Sequence, residues 1–261
     1  MLKVVKLAAL ILCIDLLVTP AHANDLFVNS RTGSDRTNCE SEGKACKTLN
    51  HACALSLKLR FALIHVANGL YENTHCDIQH FSNIAVVGNV KNPQEVILEA
   101  PDGNIFAVQD HASLMLQGVT LRTSSGGKGA TGMLTRQFSI GDIYHVAFGN
   151  ILVGVVASEM SKINCLGDVS VSGKIERLFS VTGASTASVA CDVTFKRSPN
   201  ITYLYYATQE SRIEGNGATF IGAAHIAYRY LVSHSTIYLP KIIPGSAEIS
   251  QNGASVLDIL P

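Results

Sequence analysis

Asp142, Asp168, Asp192 and Asn216 recur along the chain at steps of 26, 24 and 24 residues. In a fold repeating at about that period they would stack into a polar row, with carboxylates one strand spacing, roughly 4.8 Å, apart. Such a row either holds a divalent cation such as Ca2+ or raises carboxylate pKa values by mutual repulsion. Arg212 and Glu214 flank Ile213, and Lys162 precedes Ile163, so a cationic base would stand beside the acids. The candidate chemistry is therefore acid–base work by Asp142, Asp168, Asp192, Arg212 and Glu214, with Asn216 as a ligand-binding neighbour. Asp and Asn also favour turns, and turns recur in every repeat, so the same spacing suits a structural role.

The elements that would position these residues are short and periodic. Aliphatic residues expected to look inward, Leu116, Ile140, Ile163, Val189, Ile213 and Ile237, follow one another at 24, 23, 26, 24 and 24 residues. Each repeat holds two or three runs with period-two alternation, such as Val169/Val171 and Val193/Phe195, and no room for a ten-residue amphipathic helix. Three short strands and three turns per coil, stacked coil on coil, make a parallel β-helix of about seven coils. A β-sandwich would want hairpin turns, and Asp102-Gly103 and Asn252-Gly253 are too few to build one.

The N-terminal section differs. A strand at Leu26–Val28 leads through Gly33-Ser34-Asp35 to a cysteine-bracketed loop, then to a helix capped by Thr48 with Leu49, Ala52, Cys53 and Leu55 on its apolar face. A helix over the first coil would close an otherwise open core and edge. The order LFV, GSD, C-KTL with Ala52, and IHVA followed by Asn68-Gly69-Leu70-Tyr71-Glu72-Asn73 resembles exported right-handed parallel β-helix proteins of the pectate-lyase-like superfamily. That resemblance implies an all-β right-handed solenoid with a short N-terminal capping helix. The superfamily spans polysaccharide lyases, hydrolases, pectin esterases, epimerases, tail spikes and non-catalytic surface proteins.

Its catalytic strings are absent here. The nearest approach to the pectin-esterase motif is the stretch from Gly141 to Asn150, which keeps Phe148-Gly149-Asn150 but displaces Asp142 by several residues. No Asp-Asp pair of the hydrolase type occurs, nor H-E-x-x-H or G-x-S-x-G. Gly126-Gly127-Lys128-Gly129 lacks the Ser or Thr of a phosphate loop and reads as an inter-coil connection. The histidines, among them His145, His225 and His234, show no metal-ligand spacing. Tyrosines crowd the C-terminal third; Tyr203 and Tyr205, or else Tyr206, are expected to face outward and offer a sugar-stacking platform.

Composition and processing complete the reading. The 20 basic and 20 acidic residues cancel, which argues against nucleic acid as a partner, and 47% hydrophobic content argues against disorder. Residues 1–23 read as a signal peptide: Lys3 and Lys6, an apolar run from Leu7 to Val18, and Ala21-His22-Ala23 at the cleavage point. No later stretch is apolar enough to span a bilayer. Six cysteines remain, and an even number in an exported chain suggests disulfides. Loop closure favours Cys39–Cys46 and Cys53–Cys76. Cys165 and Cys191 are equally readable as a disulfide or as buried thiols.

The expected organisation is a signal over 1–23, an N-terminal strand, disulfide loop and capping helix over 24–62, coils over 63–240 and a C-terminal cap over 241–261. The expected role is an exported surface or periplasmic module, non-catalytic, contacting a polysaccharide or another envelope component, with oligomerisation through the C-terminal end open to it. The alternative is a lyase or hydrolase of an acidic polysaccharide. No cofactor is expected for the module; Ca2+ belongs to the lyase alternative.

Overall fold

A computed structural model describes residues 24–124, 129–239, 247–251 and 253–258. The signal-peptide reading, Gly126 to Lys128 and the Pro240–Gly245 stretch fall outside these. The described chain is a parallel β-solenoid of about seven turns, with three sheets of ten, seven and eight strands. Each coil visits the first, second and third sheet in order. One coil, for example, runs through Ile140–Tyr144, Val146–Phe148 and Ile151–Ala157.

Alternation drives this arrangement. In Asn83–Val87 and Ser113–Gln117 every second residue is buried, and parallel pairing places like residues above one another. The resulting inward row in the first sheet includes Ile84, Leu114, Gly141, Ile163, Ala187 and Ile213. Gly141 occupies a slot that Met133 fills: a Cβ there would lie 2.6 Å from the Met133 methyl. The coil length varies more than the aliphatic anchors imply. Ile84 to Leu114 takes 30 residues and Ile213 to Ile237 takes 24.

One anchor is corrected by the register. Ile140 lies between Ser113 and Lys162 on the outer face and is 42% exposed, whereas Ile143 takes the inward place beside Leu116. The chain enters that strand through a turn in which Ser139 is the residue rotated inward.

That turn recurs between the third and first sheets. Two successive residues adopt left-handed backbone angles in His80-Phe81, Asp110-His111, Gln137-Phe138, Glu159-Met160, Gly183-Ala184 and Gln209-Glu210. A buried serine then follows in most coils: Ser82, Ser139, Ser161, Ser185, Ser211 and, after His234, Ser235. The hydroxyls of Ser139, Ser161, Ser185, Ser211 and Ser235 accept from the backbone N–H of Ala112, Ser139, Ser161, Ser185 and Ser211 respectively, at 3.0–3.4 Å. Buried donors at the corner are satisfied by the coil above. In the same corners Phe81, Phe138 and Met160 donate backbone N–H bonds to the carbonyls of Asp110, Glu159 and Gly183.

The N-terminal end is closed by helix α1 (Leu49–Ser56), which buries Leu49, Ala52, Cys53 and Ser56. The Thr48 hydroxyl accepts from His51 N at 3.2 Å and donates to Asp35 Oδ2 at 2.9 Å, while Asp35 Oδ1 accepts from Lys47 and Thr48 N–H. Partial burial works against the Asp35 charge, but the hydrogen bonds from Thr48 and Lys47 outweigh it and hold the carboxyl below its ordinary pKa. Three disulfides join Cys39 to Cys46, Cys53 to Cys76 and Cys165 to Cys191. The second ties α1 to the first strand of the third sheet, Cys76–Ile78.

Candidate functional site

The third sheet does not alternate cleanly, and its irregularity opens a groove. In Asn200–Thr208, Ile201, Leu204, Tyr205 and Ala207 are buried, so two adjacent residues, Leu204 and Tyr205, both turn in. The residues before them, Thr202 and Tyr203, are both half-buried. Lys174–Val181 repeats the pattern, with Glu176 and Arg177 ahead of buried Leu178 and Phe179.

Stacking turns these positions into rows parallel to the solenoid axis. Lys174, Asn200 and His225 are successive partners, and the Asn150 side-chain carbonyl accepts from Lys174 N–H at 2.8 Å, extending the row by one coil. The next outward row carries Leu152, Glu176, Thr202 and Ala227, and the one beyond it Arg177, Tyr203 and Tyr228. Two adjoining clefts of about 580 and 340 Å³ follow the first two rows and share Lys174 and Thr202. Together they run from Thr123 to His225, four coil steps or roughly 19 Å.

The tyrosines form one edge of this region. The Tyr203 ring stacks on Tyr228 with centroids 5.1 Å apart and meets Tyr206 edge-on at 5.7 Å. The Arg177 guanidinium lies 4.2 Å from the Tyr206 ring centroid and pairs with Glu176 at 3.0 Å. Its Nε is buried without a hydrogen-bond partner among the described residues.

Tyr205 is a correction to the expected platform. It is fully buried, 5.8 Å from Phe179, with its hydroxyl unpaired beside Gly215. Burial pushes its phenol well above the ordinary tyrosine range. Of the tyrosine pair read from sequence, only Tyr203 reaches the surface.

The acidic row is dispersed. Asp142 sits on the outer face of the first sheet and accepts from the Asn164 side-chain amide at 2.7 Å. Arg212 and Glu214 share that face two coils further on from Asn164, paired with each other at 2.8 Å, with Arg212 over the Tyr238 ring. Asp168 and Asp192 face one another across neighbouring coils at the corner between the first and second sheets. His145, one coil before Asp168, lies 3.7 Å from it on a separate cleft that Lys91 and Lys196 also line. Asn216 lies in the turn ahead of Thr219–Ile221, out of register with Asp192. Asp168 and Asp192 thus remain neighbours, but they lie apart from Asp142, Arg212 and Glu214 on the first-sheet face, and the candidate acids do not converge on one site.

Among the described residues, one trio of metal-ligating types lies close together, Cys39, Cys46 and His51, and its two cysteines are disulfide-bonded. No described helix is long and apolar enough to cross a membrane.

The chain matches no family pattern, and no curated protein matches it in sequence. Solved structures with a similar course include YbhC of Escherichia coli, at 13% identity, 92% of this chain, 87% of that one and a TM-score of 0.40. Another is the pectin methylesterase of Aspergillus niger in its deglycosylated form, at 12% identity, 91% and 87% coverage and a TM-score of 0.49. Likenesses so distant transfer no residue role. The fold rests on the strand register itself: this chain is a parallel β-helix, closed at its N-terminal end by a disulfide-tied helix.

Proposed function

We propose that the protein is a non-catalytic carbohydrate-contact module of an exported or envelope compartment, and that it lays an extended glycan in the groove of the third sheet. The observation that carries this reading is the alignment of amide, amine, hydroxyl and imidazole side chains (Asn150, Lys174, Asn200, Thr202, His225) along the solenoid axis beside the Tyr203–Tyr228 stack. Such groups hydrogen-bond sugar hydroxyls, and the face of a tyrosine ring packs against the apolar face of a pyranose. The separation of Asp168 and Asp192 from Asp142, Arg212 and Glu214 supports binding over cleavage, because general acid–base catalysis needs its groups within reach of one bond. Three disulfides fit an oxidising compartment.

Retention on a panel of neutral and acidic polysaccharides tests it. Tyr203→Ala and Lys174→Met should each lower affinity, whereas Asp142→Ala, Asp168→Ala and Asp192→Ala should leave it unchanged. Unsaturated or shortened products from uronates, with or without Ca2+, would instead establish the lyase or hydrolase alternative.

A further inference from the structure

The left-handed corner between the third and first sheets carries an apolar stripe that the groove does not use. Its second positions are Phe81, His111, Phe138 and Met160 in four successive coils. Phe81 stacks on His111 at 5.0 Å and His111 on Phe138 at 5.2 Å. Phe81, Phe138 and Met160 are 70, 52 and 56% exposed, and Ile140 lies next to Phe138 at 42%. Four of the ten large hydrophobics exposed among the described residues therefore share one corner. Ala184 and Glu210 end the stripe on one side, and on the other the preceding coil is closed by α1.

The ring geometry selects the occupant. The faces of His111 are taken up by the phenylalanines on either side, so the middle of the stripe is a closed stack of rings that offers a sugar no face there. Asp110 and Glu159 lie along it and offset Arg136, so the corner has no net positive charge to draw an anionic lipid surface. A partner that meets every rung needs side chains at the same strand spacing of roughly 4.8 Å. A second copy of this chain supplies that pitch.

The flanking charges are ordered for it. From the N-terminal side the first residues of the left-handed pairs are His80, Asp110, Gln137 and Glu159, with Arg136 one residue ahead of Gln137 and His111 one residue after Asp110. Asp110 also binds His80 in its own chain at 2.8 Å and lies 3.8 Å from His111, while Arg136 donates to Gln109, leaving its charge without a carboxylate among the described residues. Turned end for end about the midpoint of the stripe, the series places His80 against the partner subunit's Glu159 and Asp110 against the partner subunit's Gln137, with the long side chain of the partner subunit's Arg136 one residue to the side and able to reach Asp110. Each charged pairing is of opposite sign when His80 is protonated. A twofold contact must be self-complementary in this way.

We propose that two copies associate antiparallel along this corner, about a twofold axis passing between His111 and Phe138. The contact is narrow, so the dimer should dissociate on dilution. Sedimentation velocity of the full chain over a concentration series tests it. The wild type should show a reversible monomer–dimer equilibrium. Phe138→Asp should weaken it about 100-fold and Arg136→Glu about tenfold, with far-UV circular dichroism unchanged. The charge exchange Asp110→Arg with Arg136→Glu should restore the wild-type constant, a rescue that a merely destabilised corner would not give. A monomer at all concentrations, a dimer indifferent to Phe138→Asp, failure of the exchange to restore association, or a monomer that adsorbs to lipid vesicles through Phe138 would each overturn the proposal. Glycan retention through Tyr203 should be the same in all these variants, which keeps the two proposals separable.

Discussion

Two corners of the same coil follow opposite rules. Between the third and first sheets the connection is four residues long in Gln109–Ala112, Arg136–Ser139, Ser158–Ser161 and Thr182–Ser185, with the same backbone angles and an inward hydroxyl in three of the four. It shortens to three and two residues, each still ending on an inward serine, in Gln209–Ser211 and His234–Ser235. Between the second and third sheets it takes five residues after Thr123, two after Phe148 and Val171, four after Phe195 and three after Ile221. The uniform corner is fixed by hydrogen bonds to the neighbouring coil, so any change in one rung is felt in the next. The uneven corner is joined to its neighbours by backbone bonds, such as Asn200 N–H to the Gly173 carbonyl and His225 N–H to that of Pro199. It has no recurring buried hydroxyl among the described residues, and it opens into a groove. Stacking is specified at one edge of the solenoid, and recognition is free to vary at the other.

The contrast is most sharply tested by removing a serine hydroxyl. Ser185→Val leaves the buried Ser161 N–H without its 3.0 Å acceptor. Urea denaturation should show a loss of about 2–3 kcal/mol, whereas Thr202→Val on the groove wall should cost less than about 0.5 kcal/mol. Equal losses would erase the distinction between the corners.

Next in size is the reciprocal effect on binding. Tyr203→Ala removes the half-buried ring stacked on Tyr228 and should weaken glycan retention by about tenfold, or ~1.4 kcal/mol. Ser185→Val, provided it is assayed below its lowered unfolding midpoint, should bind as the wild type does. Affinity electrophoresis of both variants decides the matter.

A finer test lies within a single turn. Gly183 and Ala184 both have positive φ, 63° and 55°. Gly183→Ala forces a side chain into that conformation with its Cβ 3.0 Å from Glu159 N, and should destabilise by about 1 kcal/mol. Ala184→Gly relieves the same strain next door, and should stabilise by a few tenths of a kcal/mol after the added unfolded-state entropy is counted. Thermal melts of the pair should move in opposite directions.

The smallest expected effect serves as a control away from both corners. The hydrogen bonds that depress the Asp35 pKa contribute stability that is in place above the ordinary aspartate range, about 4, and fades as pH falls through the lowered native value. Asp35→Asn should flatten that acid limb of the stability profile while leaving Ser185→Val and wild type separated by the same margin at neutral pH.

Much of the architecture is legible in the sequence because it depends on local alternation. Val169/Val171 and Val193/Phe195 announce strands, and the recurring aliphatics announce coils. The left-handed corner is not legible from turn chemistry. His80-Phe81, Gln137-Phe138 and Glu159-Met160 hold no glycine or asparagine, and their backbone angles are imposed by bonds to the next coil. One signal was available: a serine recurs at 139, 161, 185, 211 and 235, in step with the coils. The groove is not legible because its rows join residues from different coils, and because Leu204 and Tyr205 break the alternation that would put Tyr203 and Tyr205 on one face and Tyr206 on the other. The acidic spacing misled for a related reason. Equal steps in sequence do not keep residues on one surface when coils differ in length, and Asp142 and Asp168 fall in different positions of their coils.

The disulfides also give the solenoid a direction of failure. Two of them lock the N-terminal end, tying the cysteine loop to itself and α1 to Cys76, and the third joins neighbouring coils through Cys165 and Cys191. A pulling force or protease working inward from the C-terminal side can therefore peel coils one at a time until it reaches Cys191, where two must yield together. Past Cys165, no further covalent stop intervenes until Cys76. The molecule is built to unravel in stages from one end, with its N-terminal lid the last part to let go.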